Sequence, residues 1–421
     1  MSPTPSKVLI IGAGPVGLMT ALLLAQSSIR VTILEKQETL NQQTRAKLGF
    51  TGNGICWRKP LASDPDPKAQ GEEAMKMGEI IACLPFADNE KVRDEHGNGV
   101  LYLPEPKLAE LLYKAAVGTG LVEVIFGREA CGIRQDDDVV TIAAAFREKE
   151  GKLETFRGEF LVGADGGKSA TRKLLGIPFK GHSWPEHIVA IDVLLEDKYL
   201  DAKFPTSLVV HPVNFGLVTP LEPVREGEKT LYRCSIAVDP RDTRSDEELV
   251  SEEYLKRLLE MFAPGPRPLD AKVVNSSAYR THQLCAATMR RGRCVLAGDA
   301  AHLNNVNVRP FGALGLTTGL LDAEALADTL AFIINDDNPL DVLDLYSDQR
   351  RKVFQTFVDP ISSQNTLRVA NDPETATEDW FLRAMIDRSP EFMAEMGQPY
   401  FYFWRTDMSK LVASKGYYSW K

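Results

Sequence analysis

A strand, a glycine-rich turn, a helix and a second strand begin this chain, and their order constrains its fold more than any other feature. The apolar run Val8–Ile11 predicts a buried strand, and Leu18–Gln26 and Val31–Leu34 predict the helix and the strand that follow it. Two strands joined through a helix lie parallel in one sheet, because a parallel crossover needs a connection of that length. The start of the chain therefore predicts an α/β fold that contains a parallel sheet.

The turn between the first strand and the helix contains Gly12, Gly14 and Gly17, and Glu35 ends the second strand. Gly12 permits a tight turn, Gly14 lets the backbone approach a pyrophosphate, and Gly17 lets the helix pack closely on the strand. The helix N-terminus favours negative charge, and an acidic residue at the position of Glu35 accepts the hydroxyl groups of an adenosine ribose. This combination predicts a dinucleotide site. The alternative is a glycine-rich turn that binds no ligand.

Two later segments also end a short apolar strand with an aspartate beside a glycine. Asp165 follows the strand Phe160–Gly163, and Asp299 follows Gly298 and the strand Cys294–Ala297. Strands of α/β folds deliver ligand-binding groups at their carboxyl ends, so both carboxylates are candidates for cofactor contacts. The alternative for each is a structural role, in which the aspartate caps the helix that follows.

The composition excludes several classes of protein. A net charge of -9 and a pI near 5.4 argue against nucleic acid as a partner, which needs a basic surface. No apolar stretch approaches the ~20 residues of a membrane span. The 6 cysteines show no paired spacing, so neither a zinc site nor a disulfide framework is expected, and a reducing, cytoplasmic setting is.

The middle of the chain changes character. Longer strands at Ile188–Leu195, Ser207–Val210 and Leu231–Val238 predict a second, antiparallel sheet inserted between the two aspartate segments. The chain from about residue 340 is helical by pattern, and its end is dense in aromatic residues. We expect this tail to pack against the main body; a lid over an apolar substrate or a contact in a homo-oligomer are the alternatives.

Taken together, the glycine turn and the two aspartate segments resemble the single-component FAD-dependent monooxygenases of the aromatic hydroxylase type, which act on phenol, salicylate or p-hydroxybenzoate. The resemblance covers about residues 7–355. It implies an α/β protein with a Rossmann-like FAD-binding domain, an inserted antiparallel β-sheet substrate domain and a helical C-terminal tail. The implied boundaries are residues 1–180 and 276–355 for the two parts of the FAD-binding domain, 181–275 for the substrate domain and 356–421 for the tail.

The resemblance also implies which residues contact FAD. They are Gly12, Gly14, Gly17, Glu35, Arg45, Asp165, Gly298, Asp299, Pro310, Gly312, Gly315 and Leu316. Ser169 and Arg172 match the same motif as Asp165, which lies in the family near the flavin and the path of the nicotinamide.

Two departures from the family pattern stand out. Seven residues separate His302 from Pro310 where three are usual, so the loop over the flavin is expected to be longer, and it either reshapes the substrate pocket or weakens flavin binding. Glu105 stands where the family usually has Arg or Gln, so that contact is not carried over.

The resemblance implies a reaction as well. FAD is reduced by NADPH or NADH and reacts with molecular oxygen to a flavin hydroperoxide, which hydroxylates or epoxidises an electron-rich aromatic or unsaturated small molecule. Tyr232, Arg233 and Arg309 are the candidates for activating the substrate, with His187 and His302 as weaker ones. Neighbouring residues of a strand point to opposite faces, so at most one of Tyr232 and Arg233 faces the flavin.

Two other functions fit parts of the pattern. One is a flavin oxidoreductase that does not insert oxygen, and the other is a non-catalytic prenyl-protein escort with the same first fold. The Gly298-Asp299 segment argues against the escort.

Overall fold

The computed structural model of the chain describes residues 7–40, 49–52, 54–61, 77–85, 100–147, 151–196, 200, 206–224, 227–304, 314–387 and 403–416. Within these ranges the α-helices are α1 (Pro15–Gln26), α2 (Glu105–Gly118), α3 (Ala170–Leu174), α4 (Asp246–Leu249), α5 (Glu252–Phe262), α6 (Gly315–Asp336), α7 (Val342–Val353), α8 (Asp359–Val369), α9 (Trp380–Asp387) and α10 (Met408–Ser414). A π-helical turn, Phe354–Val358, joins α7 to α8.

The first sheet contains the N-terminal βαβ unit. Its strands among the described residues are, in spatial order, β17 (Arg290–Arg291), β18 (Cys294–Leu296), β11 (Phe160–Gly163), β1 (Val8–Ile11), β2 (Val31–Leu34) and β7 (Val122–Ile125). All neighbours are parallel except β17 and β18. Every residue of β1, β2 and β11 is buried, as expected for a parallel sheet with both faces covered.

This arrangement brings the three predicted motifs to one edge. Strand β11 lies between β18 and β1 and is parallel to both, so the turns that follow the three strands lie at the same end of the sheet. The glycine turn, Asp165 and Asp299 are therefore neighbours in space although they are far apart in sequence. The expectation of an α/β fold with a Rossmann-like domain is confirmed.

The second sheet is mostly antiparallel. Its described strands are, in spatial order, β19 (His302–Asn304), β16 (Lys272–Ala286), β12 (Phe179–Glu196), β15 (Lys229–Ala237), β14 (Gly216–Pro220), β13 (Thr206–Val209), β4 (Gly54–Arg58) and β5 (Ile80–Pro85). Only the β13–β4 pair of these is parallel. The sheet takes strands from both sides of residues 181–275, because β4, β5 and β19 join it. The proposed domain boundaries stay a prediction.

Smaller sheets complete the described part of the chain. Strands β8 (Arg128–Gln135), β9 (Val140–Phe146) and β10 (Leu153–Gly158) form an antiparallel meander, and β3 (Phe50–Gly52) pairs with β6 (Val100–Tyr102). Among the helices of the described ranges, none combines the length and the apolar character that crossing a bilayer would require.

The two faces of the large sheet pack against different helices. On one face Val189, Ile191 and Tyr232 form a buried cluster with Leu255 and Phe262 of α5. The other face is covered in part by α8, whose Val369 belongs to a cluster with Trp57 and Leu208. This separation decides which strand residues can face a ligand.

Candidate active site

The glycine turn has the shape that a dinucleotide site needs. Gly12 has φ +106, and a Cβ placed on Gly17 would lie 2.1 Å from the carbonyl oxygen of Gly12. Gly12 therefore needs the left-handed region, and Gly17 lets α1 approach the turn. A Cβ on Gly14, by contrast, would meet no atom within 4 Å. The backbone of Gly14 is therefore open to a ligand.

Glu35 fixes the open side of this turn. Its Oε2 accepts the backbone N–H of Ala13 at 2.8 Å, and its Oε1 accepts that of Gln37 at 2.9 Å. The carboxylate also lines a cleft of about 270 Å³ together with Gly14, Pro15 and Glu105. The cleft thus combines the N-terminus of α1, an open glycine backbone and an acidic side chain.

Asp165 makes a compact cap of its own segment. Its Oδ1 accepts the hydroxyl of Ser169 at 2.5 Å, and its Oδ2 accepts the N–H and the hydroxyl of Thr171 at 2.9 and 3.1 Å. The Ser169 hydroxyl in turn accepts the N–H of Arg172 at 2.9 Å. These contacts match the structural alternative, because the carboxylate is already used within its own turn.

Arg172 joins the two aspartate segments. Its guanidinium donates to the carbonyl oxygens of Ala300 at 2.8 Å and of Gly167 at 2.9 Å, and it stacks over the ring of Phe179 at 3.7 Å. The side chain is 5% exposed. Burial lowers the pKa of Arg172, while the charge of Asp165 raises it. The arginine therefore fixes the position of one segment relative to the other.

Asp299 is the half-buried carboxylate at the end of β18. The preceding Gly298 has φ +60, and a Cβ there would lie 2.9 Å from Val16 on α1. Burial raises the pKa of Asp299 to about 6; His302 opposes this rise, and the charges of Glu105 and Asp322 add to it. Glu105 is thus an electrostatic neighbour of Asp299, at the position where the family usually has Arg or Gln.

A buried ion network lies directly beneath Asp299. Asp322 Oδ2 accepts the N–H of Gly298 at 3.0 Å and lies 2.6 Å from His302 Nε2, and Asp322 Oδ1 accepts Arg350 Nε at 2.6 Å. Burial alone would raise the pKa of Asp322, but His302 and Arg350 outweigh it and lower the pKa to about 2. The His302 ring stacks on Phe354 with centroids 4.9 Å apart. His302 is therefore a structural partner of Asp322 in this geometry.

Several buried polar atoms at the end of β19 have no hydrogen-bond partner within the described part of the chain. Oδ1 and Nδ2 of Asn304 and Oε1 of Gln283 are buried and make no hydrogen bond to any residue that the structure describes. The two residues are cross-strand partners and are 3% and 2% exposed. An unsatisfied buried amide costs free energy, so these groups fit a site in which a polar ligand supplies the missing bonds.

These features together fit FAD. The open Gly14 backbone and the N-terminus of α1 suit a pyrophosphate, Glu35 suits a ribose, and Asp299 suits the polyol chain of the flavin. Gly315 and Leu316 begin α6, and a Cβ on Gly319 near the start of this helix would lie 3.3 Å from Gly298, so the N-terminal end of the α6 dipole is close to the same edge. FAD bound there would supply the redox chemistry that protein side chains lack.

The two strand candidates for substrate activation lie on opposite faces of the large sheet. Tyr232 is 1% exposed in the cluster that packs on α5. Arg233 lies on the other face and donates from Nε and Nη2 to the two oxygens of Asp192, at 2.7 and 3.0 Å. Its side chain is 34% exposed. The placement gives Tyr232 a packing role and leaves Arg233 as the candidate that a ligand can reach.

The remaining predicted site residues either lie outside the described residues or lie near the surface. Arg45, Arg309, Pro310 and Gly312 lie outside the described residues. His187 lies near the surface, where Arg280 donates to its Nε2 at 3.0 Å. The assignments of individual residues to the FAD site therefore stay predictions, supported by the geometry of those that are described.

Comparison with known proteins agrees with this geometry. The family described as FAD binding domain matches residues 5–360. The para-nitrophenol 4-monooxygenase of Pseudomonas sp. (strain WBC-3) is 31% identical over 409 residues, which are 92% of this chain and 93% of the relative. The chain belongs to the FAD-dependent monooxygenases.

Two further matches cover nearly the whole monooxygenase. The 6-hydroxy-3-succinoylpyridine 3-monooxygenase of Pseudomonas putida (strain DSM 28022 / S16) is 30% identical, with 89% of this chain and 92% of the relative covered. The crystal structure of p-nitrophenol 4-monooxygenase from Pseudomonas putida DLL-E4 superimposes with a TM-score of 0.78 at 27% identity, covering 96% of this chain and 99% of that one. The enzyme uses FAD with NAD(P)H as co-substrate, and neither the oxidoreductase nor the escort alternative is favoured.

Sequence reasoning missed several groups that shape the site. It did not find the pair of Arg350 and Asp322, and it did not single out Asn304 or Gln283. A weak signal was present for Asp322, which interrupts an apolar stretch of α6 between Leu321 and Ala323. A charged residue on a buried helix face needs a partner, but the sequence does not say which one.

Proposed function

We propose that the monooxygenase hydroxylates the ring of a phenol, with NAD(P)H as the reductant and molecular oxygen as the source of the inserted atom. The observation that carries the proposal is Arg233, a half-buried guanidinium on the sheet face opposite α5. The names of the two relatives add support, because both act on hydroxylated aromatic rings as their names state.

Arg233 has donors left for a substrate. Asp192 takes Nε and Nη2, and no described residue accepts from Nη1. Burial lowers the pKa of Arg233, but hydrogen bonding and charge from Asp192 outweigh it and raise the pKa. The guanidinium therefore stays charged, while the carboxylate of Asp192 balances that charge. We call this part of the sheet face, around Arg233 and Asp192, the wall of the proposed substrate site, and its net charge is close to zero. A neutral wall with free N–H donors suits a phenolic oxygen better than it suits a second carboxylate.

Hydroxyl groups extend this wall. Thr219 is the cross-strand neighbour of Arg233, and its hydroxyl lies 2.9 Å from that of Thr206. The Tyr102 hydroxyl lies 2.6 Å from the same Thr206 hydroxyl. Burial raises the pKa of Tyr102, so this phenol stays protonated. The wall thus offers neutral hydroxyls next to a paired arginine.

The cofactor and the protein side chains would have different roles in this reaction. When bound, FAD would supply the redox chemistry that couples NAD(P)H oxidation to insertion of one atom of O₂ into the ring, with the other atom released as water. Donation from Arg233 Nη1 to the phenolic oxygen would favour its ionised form, which makes the ring more electron-rich. The sheet and α8 would hold the ring in place and exclude water. Homo-oligomer formation and a cytoplasmic location stay predictions from the sequence.

The test is a substrate panel on the purified enzyme with FAD. NAD(P)H oxidation and oxygen uptake are followed with para-nitrophenol, phenol and p-hydroxybenzoate, and with cyclohexanol as the matched control that has a hydroxyl but no aromatic ring. We expect oxygen uptake to be stimulated by at least one neutral phenol and not by cyclohexanol. A flavin-containing enzyme whose oxygen uptake no phenol stimulates would contradict the proposal.

A further inference from the structure

The described tail segment 403–416 contacts the residues that hold the Gly298 turn, and we propose that Trp404 and Thr406 are positioning residues for FAD. The proposal rests on the cofactor and not on the identity of the substrate. It assigns a role to segment 403–416 of the tail, which lies beyond the 5–360 match to the family.

The tail segment 403–416 contacts Arg350 directly. Nη1 of Arg350 donates to the carbonyl oxygen of Trp404 at 2.7 Å and to the hydroxyl of Thr406 at 3.2 Å. The tail is fixed on the body by Met408 and Val412, which are both 0% exposed within the main core. A segment more than fifty residues away in sequence therefore fixes the orientation of the Arg350 guanidinium.

Arg350 is connected to the Gly298 turn through Asp322. Arg350 Nε donates to Asp322, and the other oxygen of that carboxylate accepts the N–H of Gly298. Asp299, the residue that fits the polyol chain of FAD, is next in the chain. One carboxylate thus connects the arginine held by the tail to the backbone of the flavin-binding turn.

A second contact reaches the N-terminal part of α6. The indole N–H of Trp404 donates to the hydroxyl of Thr318 at 2.9 Å, and Arg350 Nη2 donates to the carbonyl oxygen of Thr318 at 3.2 Å. Thr318 lies in the first turn of α6, the helix that begins at Gly315. The tail therefore supports both the Gly298 turn and the start of the helix beside it.

The chemistry of these contacts favours positioning over simple packing. A fully buried arginine requires desolvation that an apolar side chain in the same volume would avoid. Arg350 instead orients its neighbours, because its planar set of donors fixes the positions of the Asp322 carboxylate and the Thr318 carbonyl group at the same time. If the tail orders the FAD site, binding of FAD must order the tail to the same extent, since linkage is reciprocal.

The test uses the Thr406→Val, Trp404→Phe double variant in the full-length protein. Valine keeps the shape of threonine without its hydroxyl, and phenylalanine removes the indole N–H. Arg405→Gln is the matched control, because Arg405 lies between them but pairs with Glu324 and is 64% exposed. FAD affinity of the apoprotein is measured by quenching of flavin fluorescence, well below the melting temperature of each variant.

We expect the double variant to weaken FAD binding by about tenfold, which corresponds to the loss of roughly one charge-assisted hydrogen bond's contribution. The Arg405→Gln variant is expected to stay within about twofold of the wild type, and Thr406→Ser to restore most of the loss caused by valine at that position. A double variant that melts earlier but binds FAD as tightly as the wild type would overturn the proposal and leave the tail a packing element.

A measurement on the wild type covers the case in which the variant does not fold. Hydrogen exchange of the tail peptide 403–416 is compared with and without FAD, with α5 as the reference element remote from the network. We expect FAD to slow exchange in the tail and to leave α5 unchanged. An unchanged tail would overturn the proposal. Because neither readout uses turnover, a failure to hydroxylate phenols would not affect either result.

Discussion

Nε of Arg350 lies 2.6 Å from Oδ1 of Asp322, and both side chains are 0% exposed. The pair connects α7 to α6 beneath the turn that carries Asp299. Its stability differs from that of a surface pair, because each charge is desolvated and depends on the other.

Replacing Arg350 by methionine should destabilise the protein strongly. The variant leaves the Asp322 carboxylate buried without its arginine partner, and breaking such a pair typically costs about 3–5 kcal/mol. Urea unfolding of the apoprotein measures the loss. Arg405→Met, which breaks an exposed pair with Glu324, is the control and should cost less than about 1 kcal/mol. Equal effects of the two substitutions would contradict the account of the network.

Two glycines of the first turn should respond differently to alanine. Gly14 has φ -74 and ψ 174 and open space beside it, so Gly14→Ala should change stability by less than about 0.5 kcal/mol. The methyl group would, however, occupy the space into which the pyrophosphate fits, and FAD affinity should fall by at least about tenfold.

Gly17→Ala should show the opposite pattern. Its Cβ would meet the carbonyl oxygen of Gly12 at 2.1 Å, so overpacking should cost about 1–3 kcal/mol. Denaturant unfolding and FAD titration of both variants separate the two effects. Normal FAD binding by Gly14→Ala would show that the pyrophosphate does not approach this backbone.

Asp299 should make the stability of the apoprotein depend on pH in an unusual direction. Its pKa is raised by burial from 3.8 to about 6, so the ionised form is the one that costs the native state free energy. This cost is absent below the unfolded-state pKa, grows as the pH rises from 3.8 to about 6, and stays constant above that value.

Asp299→Asn should therefore raise the melting temperature of the apoprotein by about 2 °C at neutral pH and leave it unchanged near pH 4. The same variant should bind FAD about tenfold more weakly, since the amide replaces a charged acceptor of the polyol chain. Differential scanning fluorimetry between pH 4 and 8 checks the first effect, and flavin titration checks the second. A destabilised variant at neutral pH would contradict the raised pKa.

The neighbours Tyr232 and Arg233 should differ sharply in kinetics. Arg233→Gln should lower kcat/KM for the best phenol by about a hundredfold, because a charged donor to the phenolic oxygen is lost. Tyr232→Phe should stay within about threefold, since that ring packs on α5. FAD content, read from the flavin absorbance, should be the same in both variants. A large kinetic loss in Tyr232→Phe with intact Arg233 kinetics would reverse the assignment of the two faces.

The sequence predicted the parts of the fold that depend on short-range pattern. The strands at Val8–Ile11 and Val31–Leu34 and the turn at Gly12 are where the pattern placed them, because apolar runs and glycine spacing act locally. The parallel order of β11, β1 and β18 follows from the motifs only through the family resemblance. Local pattern alone does not specify which strands pair.

The buried ion network next to the Gly298 turn could not be predicted from local sequence pattern. Arg350 reaches Asp322 across 28 positions and Trp404 across 54, and no periodicity links residues at those separations. Asp165 is a second example: its motif predicts a cofactor contact, which stays a prediction, and the structure adds that its carboxylate accepts hydrogen bonds from Ser169 and Thr171. Partner choice is a tertiary property, so the residue types were visible and their pairing was not.

The most direct test of the central claim is incorporation of oxygen from ¹⁸O₂. The FAD-loaded enzyme is incubated with NAD(P)H, a phenol that stimulates oxygen uptake, and ¹⁸O₂, and the product is analysed by mass spectrometry. The account predicts a ring-hydroxylated product that carries one ¹⁸O atom for each molecule of NAD(P)H oxidised. Oxidation of NAD(P)H that yields only hydrogen peroxide, or a product without ¹⁸O, would contradict it.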